Sequence, residues 1–110
     1  MENIAKGFEK GKIFRFPEMV EYSSHGIVSK QVVKTQGGNV TLFSFDAGEG
    51  LSEHTSPFNA LVQVIEGSAE ITIGGNKFML GEGDSIIMPS SVPHSVHALE
   101  KFKMILTMVR

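Results

Sequence analysis

The stretch His54–Gly67, HTSPFNALVQVIEG, decides the fold. It begins with an imidazole at what looks like the rim of a pocket. It then runs into a strand in which Ala60, Val62 and Val64 fall on one face and Leu61, Gln63 and Ile65 on the other. Alternation of this kind is the mark of a β-strand, because successive side chains point to opposite faces. The strand closes on Gly67, a turn residue.

Working outward, the same period of two recurs. In Ala69–Ile73, AEITI, the apolar Ala69, Ile71 and Ile73 alternate with Glu70 and Thr72. Gly74-Gly75 separates that run from Asn76–Leu80, and a Gly-Gly pair between two alternating runs predicts a primed hairpin turn. Gly37-Gly38 opens a further run in the same way. At Lys101–Arg110 the charges of Lys101 and Lys103 face Phe102 and Met104. The later residues are apolar on both faces, as in a strand buried between layers, and the leading charges read as a solvated strand edge. Strands are predicted at 12–16, 19–23, 27–34, 39–46, 52–56, 60–66, 68–73, 77–80, 85–89, 94–99 and 102–109. A helical turn is expected in the first ten residues, with Ile4 and Phe8 one turn apart. Many short strands punctuated by turns imply an all-β closed barrel or sandwich.

Composition narrows the function classes. The chain has 110 residues, enough for one domain, and is 41% hydrophobic and 20% charged. Its formal net charge is -2 with scattered basic residues, which gives no electrostatic footprint for nucleic acid or an anionic membrane. It has no cysteine, so disulfides, thiolate metal sites and a cysteine nucleophile are excluded. The first residues lack an apolar signal-peptide core, and no apolar run reaches the roughly 20 residues that span a bilayer. A cytoplasmic location is the expectation.

Gly48 stands six residues before His54, and Gly67 thirteen after it. Further on, Gly83, Pro89 and His94 recur at the spacing G-xxxxx-P-xxxx-H. With the intervening EGSAEITIGGNKFMLGEGD, this ordering resembles the two motifs of the cupin family, over roughly residues 38–107. The first is G-xxxxx-H-x-H, three or four residues, then E-xxxxxx-G; the second is G-xxxxx-P-x-G-xx-H-xxx-N. The resemblance implies a cupin-type double-stranded β-helix, a jelly-roll barrel spanning residues 1–110 as a single domain. Residues 38–109 would form the barrel. Residues 1–37 would supply N-terminal strands that contact a partner in a homodimer.

In the family, three histidines and a glutamate at these positions hold a first-row divalent metal and leave coordination sites open for substrate. Here His54 and His94 match, but Ser56 stands at the second histidine and Ala60 at the glutamate. Ser91 and Ala98 replace the glycine and asparagine of the second motif. Two histidines fall short of the three protein ligands that zinc and its neighbours normally take. Alternation turns Glu53, Gln63 and His97 away from the pocket, and His25 would arrive only from a loop or a partner chain.

The expected pocket therefore comprises His54, Ser56, Ala60, Val62, His94 and Met104, with Phe43 or Phe45 and Leu106 completing an apolar lining. Facing imidazoles would offer one hydrogen-bond donor and one acceptor near neutral pH. The leading expectation is a small molecule bound around His54 and His94. The alternatives are a metal-dependent isomerase or oxygenase with Zn, Ni, Mn or Fe on His54 and His94, a metal-free acid–base catalyst, and a structural homodimer with a vestigial pocket. Whether the chain is an enzyme stays open at this point.

Overall fold

A computed structural model describes residues 8–110. Nine strands run in chain order: β1 (Ile27–Thr35), β2 (Gly38–Phe45), β3 (Gly50–His54), β4 (Asn59–Glu66), β5 (Ala69–Ile73), β6 (Asn76–Leu80), β7 (Ser85–Met88), β8 (His94–Ala98) and β9 (Phe102–Val109). They form a five-stranded sheet, β1-β2-β9-β4-β7, and a four-stranded sheet, β3-β8-β5-β6. Every pairing is antiparallel. The all-β barrel expected from the sequence is the fold observed.

Between the sheets lies the main core. Ala69 and Ile71 from β5, Val62 and Val64 from β4, and Val96 from β8 are buried in it. One end is filled by an aromatic stack, with Phe45 and Phe102 nearly parallel at 4.5 Å and Phe43 stacked on Phe45 at 5.8 Å. Phe45 and Phe102 are direct partners across β2 and β9, so strand register sets the stack.

The turn chemistry splits the two Gly-Gly expectations. Gly74 and Gly75 take φ of +56° and +86° between the paired Ile73 and Asn76, the primed hairpin that was predicted. The β1–β2 turn is Gln36-Gly37, and neither residue has a positive φ. Gly38 is needed for a different reason: a Cβ there would collide with the Met108 carbonyl oxygen.

Two predicted strands, 12–16 and 19–23, do not form. Pro17 has no N–H to give a ladder, and Phe16–Glu18 makes a single 3-10 turn. The segment instead lies as a strap over the outer face of the five-stranded sheet. Alternation still governs which side chains turn inward. Phe14 meets Phe8 and Phe16 edge to face at 5.0 and 4.9 Å, while Ile13 and Arg15 on either side of it are exposed. With Val20, this cluster packs on Leu42 and Ile105 to make a second core. β2 and β9 thus carry core residues on both faces, Phe45 and Met104 towards the other sheet and Leu42 and Ile105 towards the strap. The helical turn expected in the first ten residues falls almost wholly outside the described residues.

The reading of Lys101 and Lys103 as a solvated edge is also corrected. Strand β9 is the centre of its sheet. Lys101 is exposed, but Lys103 is buried beneath the strap. Its Nζ donates to the Pro17 carbonyl at 2.7 Å, lies 3.6 Å from the Glu66 carboxylate and sits over the Tyr22 ring at 4.9 Å. The Tyr22 hydroxyl donates to the same carboxylate at 2.6 Å. Burial, the hydrogen bond to Glu66 and the nearby charges of Glu66 and Glu100 all push the Tyr22 phenol well above its ordinary range.

Candidate functional site

A cavity of about 350 Å³ opens between the sheets. Two histidines mark its polar side. His54 ends β3 and His94 begins β8, and the two are direct cross-strand partners. Their rings meet edge to face, 4.4 Å between centroids. His94 is buried and His54 stands exposed at the rim.

A β-bulge sets this register. Leu51 pairs with Val96, and the next pair is His54 with His94, so β3 spends three steps where β8 spends two. Without the extra residue, Leu51 and His54 would face opposite ways. With it, both line the cavity. Bulges on edge strands re-aim side chains in this manner, and β3 is the edge of its sheet.

Each imidazole is anchored by the same device. Nδ1 of His54 lies 2.7 Å from the Ser52 carbonyl, and Nδ1 of His94 lies 3.1 Å from the Val92 carbonyl. A carbonyl only accepts, so each Nδ1 donates, and in the uncharged form of the ring Nε2 is then the acceptor. Neither Nε2 has a hydrogen-bond partner among the described residues. The expected pairing of one donor with one acceptor is replaced by two acceptors. Nor do the rings bond each other or Ser56.

Ser56 lies just beyond β3 rather than on it, and still lines the cavity. Its Oγ accepts from the Phe58 N–H at 3.1 Å, which leaves its own proton free to be donated. Its carbonyl accepts from the Ser91 N–H at 2.7 Å. Ser91, where the family motif has glycine, takes the left-handed φ of +64° that glycine adopts without cost.

The remaining wall is apolar. Ala60 lies in a cross-strand row between Met88 of β7 and Met108 of β9. Met104 and Leu106 extend the wall along β9, and Phe43 and Val96 complete it. Of the predicted lining, His54, Ser56, Ala60, His94, Met104, Phe43 and Leu106 are brought together. Val62 is not in the lining: it shares the inward face with Ala60 but is sealed in the core, as is Phe45. Leu51, Met88, Val96 and Met108 were missed. For Met108 and Val96 the signal was present, since each follows a predicted lining residue by an even number of positions on its strand.

The residues do not fit the family's four-ligand metal centre. Ala60 has no donor atom, and the neutral Ser56 hydroxyl, which already accepts from a backbone N–H, is a poor ligand for a borderline metal. Among the described residues no group of three or more His, Cys, Asp or Glu side chains is placed to hold a metal ion. Glu53 and His97 are exposed and outside the lining, as alternation requires. His25 is also exposed, and its N–H donates to Asp46 at 2.7 Å. That bond and one from Ala47 hold the Asp46 carboxyl below its ordinary range.

Comparison with known proteins places this geometry. The sequence model described as Cupin domain matches residues 41–110. A conserved protein of unknown function from Streptococcus pyogenes is 32% identical, covering 99% of this chain and 96% of that one, with a TM-score of 0.90. A cupin 2 conserved barrel domain protein from Leptotrichia buccalis is 38% identical, with a TM-score of 0.86. That match covers 88% of this chain but 47% of the other, so this chain spans about half of that protein's length. A cupin superfamily protein from Desulfitobacterium hafniense, 23% identical over 96% of each chain with a TM-score of 0.88, is similar in fold. No curated protein matches the chain.

Proposed function

The chain belongs to the Cupin domain family, and from that premise we propose that it binds a small organic molecule in the barrel cavity around His54 and His94, without the family's metal. The observation that carries this reading is the lining itself. Eight apolar side chains surround two imidazoles and one hydroxyl, and no carboxylate is among them. Apolar walls with a few converging polar groups are what small-molecule pockets present. The loss of a glutamate at position 60 and a histidine at 56 leaves room beside His54 that smaller side chains do not fill. The alternative of a metal-dependent isomerase or oxygenase needs ligands that Ser56 and Ala60 do not supply.

The methionines provide the test. Met88, Met104 and Met108 line the cavity, whereas Met19 and Met79 lie outside it. With ¹³C-methyl methionine, a screen of small neutral fragments is expected to move the three cavity methyl signals and leave Met19 and Met79 in place. Fragments that move none of the three, or that move only Met19 and Met79, would refute the proposal.

A further inference from the structure

We infer that the ligand is an uncharged aromatic molecule whose hydroxyl or N–H donates to the paired imidazoles. This rests on the small-molecule reading above and narrows it to a chemical class.

Three features converge on that class. The first is polarity. Both Nδ1 atoms are committed to backbone carbonyls, and both rings line the cavity, so Nε2 is the ring nitrogen left to a ligand as an acceptor. A site with two unpaired acceptors selects a molecule that brings a donor. One that brings none covers the buried His94 without pairing its acceptor.

The second is charge. The lining contains no Lys, Arg, Asp or Glu. A carboxylate or phosphate entering it would be desolvated without a cation to pair with, and an ammonium would meet no carboxylate. Neutral molecules are therefore preferred. The Ser56 hydroxyl, whose oxygen already accepts from Phe58, adds one donor for a ligand oxygen.

The third is the wall opposite. Met88, Ala60 and Met108 form one cross-strand row, with Met104 and Phe43 beside it. Thioethers make favourable contacts with aromatic rings and adapt to their outline. The small Ala60 between two methionines leaves a slot for a flat ring. A cavity of about 350 Å³ is roughly a dozen times a water's share of liquid volume, enough for a single substituted ring.

The experiment uses three probes of one shape: p-cresol, toluene and p-toluate. Each is titrated against the ¹³C-methyl methionine protein at pH 8, with ¹⁵N correlation spectra of the histidine rings recorded alongside. The expected free-state spectrum has Nδ1 protonated on His54 and His94. p-Cresol is expected to bind about tenfold more tightly than toluene, the effect of one buried hydrogen bond, and at least about a hundredfold more tightly than p-toluate. In His54→Leu, a rim substitution, the preference for p-cresol over toluene should shrink.

Other outcomes separate the two levels of the claim. If toluene binds as tightly as p-cresol, the cavity is a small-molecule site but donor recognition is wrong. Tightest binding by p-toluate would overturn the inference in the same way, and so would Nε2-protonated rings. If none of the three probes moves Met88, Met104 or Met108, both this inference and the proposed function fall.

Discussion

The two faces of the five-stranded sheet solve opposite problems with the same strands. On the outer face the strap covers the centre of the sheet and pairs its buried polar groups. The strap seals Leu42 and Ile105 under three phenylalanines. Lys103 finds a carbonyl, a carboxylate and an aromatic ring, and the buried Ser44 donates to the Glu21 carbonyl at 2.8 Å. On the inner face the aromatic stack fills one end, and then packing stops. A cavity opens there, lined by two imidazoles whose Nδ1 atoms are held by their own backbone. An apolar cavity with a few polar groups at its rim is what a small-molecule site presents.

Substitutions can break this contrast, and the largest effect is expected on the sealed face. Lys103→Ala removes a buried stem and leaves the Pro17 carbonyl without its donor. A stability loss of about 2–3 kcal/mol is expected in urea denaturation. A loss below about 0.5 kcal/mol would mean that the strap is not held by this contact.

Tyr22→Phe should act through pH as well as stability. The folded-state phenol is raised above its ordinary value of about 10. Above that pH the unfolded chain loses a proton that the folded chain keeps, so stability falls as pH rises. Below it the contribution is complete and flat. The variant should lose about 1 kcal/mol near neutrality. Its stability should also fall less steeply between about pH 10 and 11 than the wild type's, by up to about 1.4 kcal/mol per pH unit. Parallel alkaline limbs would show that Tyr22 titrates alike in both states.

Ser91→Gly is expected to raise stability by about 0.5–1 kcal/mol, since glycine accepts the left-handed backbone that serine strains to adopt. An unchanged or lower melting temperature would argue against strain at the rim. The smallest effect belongs to the open face. His54→Ala should change stability by less than about 0.5 kcal/mol, because the side chain is exposed and does not support the core. A large loss would make His54 a structural residue and weaken the case for a ligand.

Much of this was legible in the sequence, and the failures have physical causes. Period two located nine strands, and the cupin resemblance carried by Gly48, His54, Gly83, Pro89 and His94 implied that both imidazoles line one pocket. Leu51 was hidden because a bulge shifts the phase between it and His54, and no local residue pattern announces that shift. Met88 joined the lining through the register of β7 on β4, a long-range fact. The tautomers depend on carbonyls two residues upstream, which every sequence possesses. Phe14 and Phe16 alternated as strand residues do, but Pro17 denied the ladder and they packed as a strap. Lys103 looked like solvent-facing charge because its partners, Pro17, Tyr22 and Glu66, come from distant parts of the chain.

The central claim is that this cupin barrel reads an organic ligand where its relatives' motif would hold a metal. Elemental analysis of untagged protein, before and after dialysis against a chelator, tests it most directly. No stoichiometric metal retained after dialysis is the expected result, given two histidines, an engaged serine and an alanine at the four motif positions. Stoichiometric metal that survives the chelator would contradict it, and would place the two Nε2 atoms on a cation instead of a ligand's hydroxyl.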